Sequence, residues 1–199
     1  AERSSNQWQC FDRLLQEVRE AGLGAHMWHM ANSAAIFRFP AAGYDMVRPG
    51  IALYGYSNFP DHRAEGLQPV LDLYAPVVMT KQLPRGHACG YGPDFITRRR
   101  TRVGLVAAGY VDGYSRRLSN IGQVDVDGRL APVLGRVSMD TIIVDLTHLP
   151  LADVGSQVRL ISRRRKDPHS VQSIARQLNT IPHEVTCALG RRVERCLVA

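Results

Sequence analysis

Between Val70 and Ile161 the chain is cut into six short strand-like runs, at 70–82, 102–108, 123–126, 130–134, 142–146 and 157–161. Their apolar, β-branched content and the turn residues between them are strand signals. Asp127-Gly128 separates two of the runs and favours a hairpin there. Residues 170–178 and 182–189 read as short helices, and 191–198 as a last strand. This part of the chain is predicted to be mainly β, with small helices near its end.

The first part has a different rhythm. Trp8, Phe11, Leu14, Leu15 and Val18 recur at helical spacing, and Gly22 is a natural stop. Residues 25–30 form a short apolar strand candidate, and Asn32-Ser33 can cap a short helix through Ala34, Ala35 and Phe37. A second extended segment, 45–47, runs into Arg48-Pro49-Gly50-Ile51. Helix, strand, short helix, strand is the order of a TIM-type α/β barrel. Two strands of such a barrel would leave edges unpaired and helix faces uncovered. Residues 1–64 are therefore expected to be the last two β/α units of a larger barrel, and 65–199 a complete β-rich domain.

Hydrophobic residues make up 45% of the chain and charged residues 22%, enough apolar material for a core. No apolar run approaches the length of a membrane span, and no charged-then-apolar leader opens the sequence, so no membrane partner is expected. The formal charge of +7 points first to nucleic acid, through Arg98-Arg99-Arg100 and Arg163-Arg164-Arg165-Lys166. Both runs sit among turn residues with few aromatics, the pattern of solvated loops, so no nucleic-acid partner is expected. The positive field would also favour an anionic cofactor or a small acid. Cys10, Cys89, Cys187 and Cys196 show no CxxC spacing and no metal-ligand rhythm with histidine. Free thiols, no metal site and a cytoplasmic location are the expectation.

Two blocks carry most of the chemistry: Gly109-Tyr110-Val111-Asp112-Gly113-Tyr114-Ser115-Arg116 and Gly135-Arg136-Val137-Ser138-Met139-Asp140. Turn formation explains the glycines and Asp112, but not two tyrosines and two arginines beside them. Polar side chains on loops held by strands are the usual material of a binding site. His29-Met30-Ala31-Asn32-Ser33 places a hydroxyl and backbone amides at a helix start, which suits a phosphate or a plain N-cap. Alone, His29 would read as a core histidine. At Arg48-Pro49-Gly50-Ile51 the glycine lets backbone amides approach a phosphate at the end of a barrel strand. Tyr91, in Cys89-Gly90-Tyr91-Gly92-Pro93-Asp94-Phe95, would by itself read as a surface ring.

In this order the motifs resemble those of the alanine racemase family, pyridoxal-phosphate enzymes that interconvert L- and D-alanine. The resemblance runs from about His26 to Val193. It implies a C-terminal β-barrel domain, cytoplasmic supply of D-alanine for peptidoglycan, and a head-to-tail homodimer in the full-length enzyme. Racemisation needs an acid/base on each face of the reacting carbon, and the resemblance makes Tyr91 the base for the L-enantiomer. A phenol with a pKa near 10 needs a cation to act at neutral pH, and His29 and Arg48 are the candidates. By resemblance Arg48 contacts the pyridine nitrogen, His29 supports Arg48, and Ser33, Gly50, Ile51 and His183 bind the cofactor. Met139 and Asp140 then lie near the substrate carboxylate, and Tyr110, Arg116 and Arg136 line the entrance.

Two departures stand out. The lysines are Lys81 and Lys166, and neither has the context of the family's cofactor lysine, which lies on the first barrel strand. Roughly six barrel strands are expected to be absent, and a chain of these 199 residues alone is expected to be inactive. His183 stands in Ile181-Pro182-His183-Glu184-Val185, where the family has a tyrosine whose hydroxyl holds the phosphate. Imidazole can donate to phosphate but lacks a phenol's reach. A racemase of broader specificity is a neighbouring reading, and a non-catalytic β-domain that binds a protein or nucleic acid is a reading from another class.

Overall fold

The computed structural model describes residues 2–24, 27–57 and 66–197. The chain divides into two compact units, Ala1–Gln68 and Pro69–Ala199. The boundary expected at 64/65 falls outside the described residues.

In the first unit, α1 (Glu2–Glu20) buries Leu15. Phe11 meets Tyr44 edge-on at 5.3 Å between ring centres, and Trp8 lies 6.1 Å from Phe39. Leu14, expected on the same face, is exposed. The helix ends as its spacing implied: Leu23 N donates to Val18 O at 3.1 Å and Gly22 N to Arg19 O at 3.1 Å, around Gly22 at φ +68°. This is the 6→1, 5→2 pattern that a left-handed glycine allows. The strand expected at 25–30 begins later, as β1 (His29–Asn32), with Ala25 and His26 outside the described residues. Next come α2 (Ser33–Arg38), β2 (Met46–Arg48) and α3 (Gly50–Leu53). β1 and β2 are parallel, with His29 opposite Met46 and Asn32 opposite Arg48. The expected β/α units are present.

The second unit is a closed antiparallel barrel of six strands. These are β3 (Leu73–Leu83), β4 (Thr101–Val106), β5 (Gln123–Val126), β6 (Arg129–Leu134), β7 (Ile142–Asp145) and β8 (Gln157–Ile161). Around the barrel the order is β3-β4-β7-β6-β5-β8. β3 serves two neighbours: Leu73 to Pro76 pair with β8, and Val77 to Leu83 with β4, with an irregularity between Val77 and Met79. Such a bulge bends a strand and raises its twist, which closure requires. Alternate residues fill the interior, among them Val106, Val124, Val126, Val144, Val158 and Leu160, all nearly or fully buried. Each such side chain contributes about 1.5–3 kcal/mol on burial. Val126 pairs with Arg129 across Asp127-Gly128, the two turn residues at φ +50° and +82°. Positive φ at both central positions is the hairpin turn that Asp-Gly favours.

Helices α4 (Val171–Gln177) and α5 (Pro182–Cys187) follow, α4 capped by Ser170 Oγ accepting from Ser173 N at 3.3 Å. The strand expected at 191–198 does not form. Residues 191–197 are turn and irregular chain, and Val198 is not described. A closed barrel has no free edge to accept another strand, and Arg192 is turned toward two carboxylates instead.

Candidate active site

In the first unit the parallel β1–β2 pair sets Arg48 beside His29. The Arg48 guanidinium donates to His29 Nδ1 at 2.7 Å and to the Met30 carbonyl at 3.2 Å. His29 is exposed and not the core histidine its type suggests in isolation. At the start of α2, Asn32 is the cap, its Oδ1 accepting from Ala34 N at 3.2 Å and Ala35 N at 3.1 Å. Those amides are therefore taken. Ser33 acts elsewhere, its Oγ accepting from Ala52 N at 3.2 Å and so joining the starts of α2 and α3. Pro49 provides no side-chain cap for α3, and a Cβ on Gly50 would meet nothing within 4 Å. Gly50 and Ile51 thus present helix-start amides, with Gly50 facing open space.

In the second unit the barrel brings the motif loops to one end. Val106 pairs with Ile142 and Leu134 with Ile143, so β4 ends, β6 ends and β7 begins there. The segments carrying Tyr110 and Met139 emerge side by side and are stitched together by Tyr110 N donating to Ser138 O at 3.0 Å and Val111 N to Met139 O at 3.2 Å. Gly109 is required for that approach, since a Cβ there would run into the carbonyl oxygens of Ser138 and Met139.

Tyr91 reaches the same region by another route. Residues 84–100 leave β3 at the opposite end, where Leu83 pairs with Thr101, and fold back over the barrel wall as an arm. Thr97 closes its base: Thr97 Oγ1 accepts from His87 N at 2.9 Å and donates to Pro84 O at 2.6 Å. Ala88 bridges Ile96, and Cys89 packs with Leu83, Val103 and Leu134. Burial pushes the Cys89 thiol up, as suits a packing residue. The Cys89 carbonyl lies against Gly135, which at φ +72° leaves no room for a side chain.

Tyr91 and Met139 are exposed by 73% and 52%. Tyr110 is exposed on a short turn, Tyr110–Asp112, and Arg116 is exposed on the next, Arg116–Leu118. Tyr114, the second tyrosine of the block, is a core residue. Arg136 is engaged with Asp94 through Nε to Oδ2 and Nη2 to Oδ1, the latter at 3.0 Å. Asp140 accepts from Arg192 Nη2 at 2.7 Å. His183 is half-buried in the first turn of α5, behind Pro182. Three residues of this end have no strong sequence signal: Asp94, Asn120 and Arg192. Only the Asn120 position between Ser119 and Ile121-Gly122 hints at a left-handed turn, and its φ is +62°.

Lys81 lies exposed on β3, and Lys166 lies in the turn after β8. The arginine runs have acidic and histidine partners. Arg99 donates to His148 Nε2 at 2.9 Å, and Arg163 pairs with Asp72 at 3.2 Å. Among the described residues no cluster of three or more His, Cys, Asp or Glu side chains could hold a metal, the four cysteines are free, and no helix is long and apolar enough to cross a membrane.

Parallel β/α units with an anchored arginine, followed by a six-stranded barrel that presents a tyrosine arm and two stitched loops, define an α/β-plus-β-barrel protein with a loop-borne site. The chain belongs to the alanine racemase family. Residues 1–58 match the family's N-terminal domain and residues 70–197 its C-terminal domain. The alanine racemase of Halothermothrix orenii is 40% identical over 190 residues, which span 95% of this chain and 50% of that protein. Among solved structures, alanine racemase of Bartonella henselae with covalently bound pyridoxal phosphate aligns with a TM-score of 0.82 at 36% identity, over 100% of this chain and 53% of that one. The Clostridium difficile 630 enzyme in complex with cycloserine aligns with a TM-score of 0.88 at 31% identity, over 96% and 51%. The chain spans about half the length of the curated relatives it matches.

Proposed function

We propose that this chain supplies the C-terminal half of an alanine racemase, acting with pyridoxal phosphate on L- and D-alanine in the cytoplasm, where D-alanine feeds cell-wall peptidoglycan. The observation that carries this reading is the Arg48–His29 pair. A guanidinium fixed at 2.7 Å by an exposed imidazole, beside the start of a helix, is a prepared cationic site. Within the first unit the residues fit the cofactor: Ser33 and the amides of Gly50 and Ile51 would hold its phosphate, and Arg48 would face its ring nitrogen. When bound, pyridoxal phosphate takes up the electron pair left on the substrate Cα after proton removal.

The chain's own residues do the rest. Arg48 is always charged and gives no proton to a ring nitrogen, which limits reactions other than racemisation. Tyr91 Oη accepts the Cα proton of L-alanine on one face and returns it in the reverse direction. Met139 and Asp140 lie toward the substrate carboxylate, and Tyr110, Arg116 and Arg136 line the way in. In a head-to-tail homodimer, Tyr91 and Met139 would act on the partner's site. The base on the other face is the family's lysine, for which neither Lys81 nor Lys166 has the context. The 199-residue chain alone is expected to be inactive.

The test joins this sequence to a lysine-bearing N-terminal segment and compares Tyr91→Phe with the parent. L-alanine racemisation should fall by about 10²–10⁴-fold, with cofactor absorbance unchanged. Equal activity would remove Tyr91 from the mechanism.

A further inference from the structure

Tyr91 stands at the tip of its arm, 73% exposed, yet displacing a catalytic group by about 1 Å can cost 100-fold in rate. Its own turn does little to fix it. Gly90 and Gly92, at φ +73° and +76°, are the least constrained residues a chain can use. The restraint comes from further along the chain. Asp94 receives two parallel hydrogen bonds from the Arg136 guanidinium. Both flanking glycines rest on the same arginine. A Cβ on Gly92 would stand 3.4 Å from the guanidinium carbon, and one on Gly90 3.5 Å from the Arg136 backbone nitrogen. Asn120 completes the clamp, its Oδ1 accepting from Gly135 N at 2.6 Å and its Nδ2 donating to the Asp94 carbonyl at 3.4 Å.

We propose that Asp94, acting through Arg136, is the positioning residue for Tyr91, an inference that rests on the racemase reading of Tyr91. The Arg136 hydrogen bonds hold the Asp94 carboxyl below its usual range, with the Arg116 charge in support, so the pair is ionised at neutral pH. Bidentate geometry makes it more directional than an ordinary surface pair. Its side chains remain 40% and 35% exposed, so salt weakens it. Order at Tyr91 is thereby tied to an ion pair within one chain, whatever else Arg136 lines.

Two readouts test this. Hydrogen exchange of the 199-residue chain reads the arm, and racemisation by the lysine-completed enzyme reads Tyr91. Asp94→Asn and Arg136→Gln should each speed exchange across 87–97 by about two- to fivefold, while the β5–β6 hairpin stays unchanged and reports intact folding. In the completed enzyme Asp94→Asn, which leaves the entrance arginine in place, should lower kcat by a similar factor, with KM for alanine and cofactor affinity little changed. The reversed pair, Asp94→Arg with Arg136→Asp, should recover most of the lost protection from exchange. Unchanged exchange in the single variants, a rise in KM alone in Asp94→Asn, or a reversed pair that exchanges no more slowly than either single would overturn the proposal. If the parent completed enzyme racemises neither enantiomer, the function of Tyr91 falls, while exchange still decides whether the pair holds the arm.

Discussion

Arg192 meets Asp112 fork to fork, Nε to Oδ1 at 2.7 Å and Nη2 to Oδ2 at 2.9 Å. The same Nη2 reaches Asp140 at 2.7 Å, and Asp112 Oδ2 also accepts from Gly109 N at 2.9 Å. One arginine after the last helix therefore fastens the Tyr110 loop to the Met139–Asp140 loop. Asp112 is buried, and the Arg192 hydrogen bonds hold its carboxyl below the usual range.

Breaking this pair should destabilise the barrel in a pH-dependent way. Asp112→Asn is expected to lower stability by about 2 kcal/mol at pH 7, read from urea midpoints. The folded-state pKa of Asp112 lies below the unfolded value of about 3.9. The charged pair's contribution is therefore complete above that value and is lost as pH falls through the folded value. The gap between parent and variant should close below about pH 4; a gap that is the same at pH 3 and pH 7 would exclude this origin.

Gly135 and Gly128 separate backbone strain from steric conflict. Both have positive φ, +72° and +82°, but only Gly135 faces a neighbour, the Cys89 carbonyl. Gly128→Ala should cost about 1 kcal/mol and Gly135→Ala about 3 kcal/mol or more. Thermal midpoints on the same chain check the ranking. Equal shifts would mean that the arm and the Gly135 loop are not packed as described.

His169 should make the second unit acid-sensitive. It is 2% exposed, neither ring nitrogen has a hydrogen-bond partner among the described residues, and Asp167 lies 3.9 Å from Nε2. Burial lowers its pKa despite that carboxylate. The folded state therefore binds fewer protons than the unfolded state, and stability declines as pH falls below about 6.5. His169→Leu should flatten the stability difference between pH 7 and pH 5, and an unchanged difference would rule His169 out as its source.

In the lysine-completed enzyme, Arg48→Glu should allow the cofactor's ring nitrogen to carry a proton and raise transamination. The readout is pyruvate formed from alanine, with the cofactor spectrum beside it. No change in either would remove Arg48 from that position. His29→Ala should weaken the same control to a smaller extent, because the Met30 carbonyl still holds the guanidinium.

The sequence was a reliable guide wherever the signal is local. The strands at 123–126 and 157–161, the Asp127-Gly128 hairpin and the Gly22 helix stop follow from side-chain periodicity and turn chemistry within a few residues. The motif residues were legible for the same reason, since glycine, tyrosine and arginine cluster within short blocks. Their environments were not: Tyr114 looks like Tyr110 in sequence, but one is core and the other exposed.

What the sequence determined by itself is which segments become strands and helices, and which residue types are available for chemistry. Tertiary structure decided the closure of the barrel, the fold-back of the 84–100 arm and the irregular path of residues 191–197. It also paired Asp94 with Arg136, 42 residues apart, and Asp112 with Arg192, 80 apart. Local propensity and turn chemistry act over a few residues, whereas contacts at these separations exist only after the strands have found their partners and the barrel has no edge left to fill.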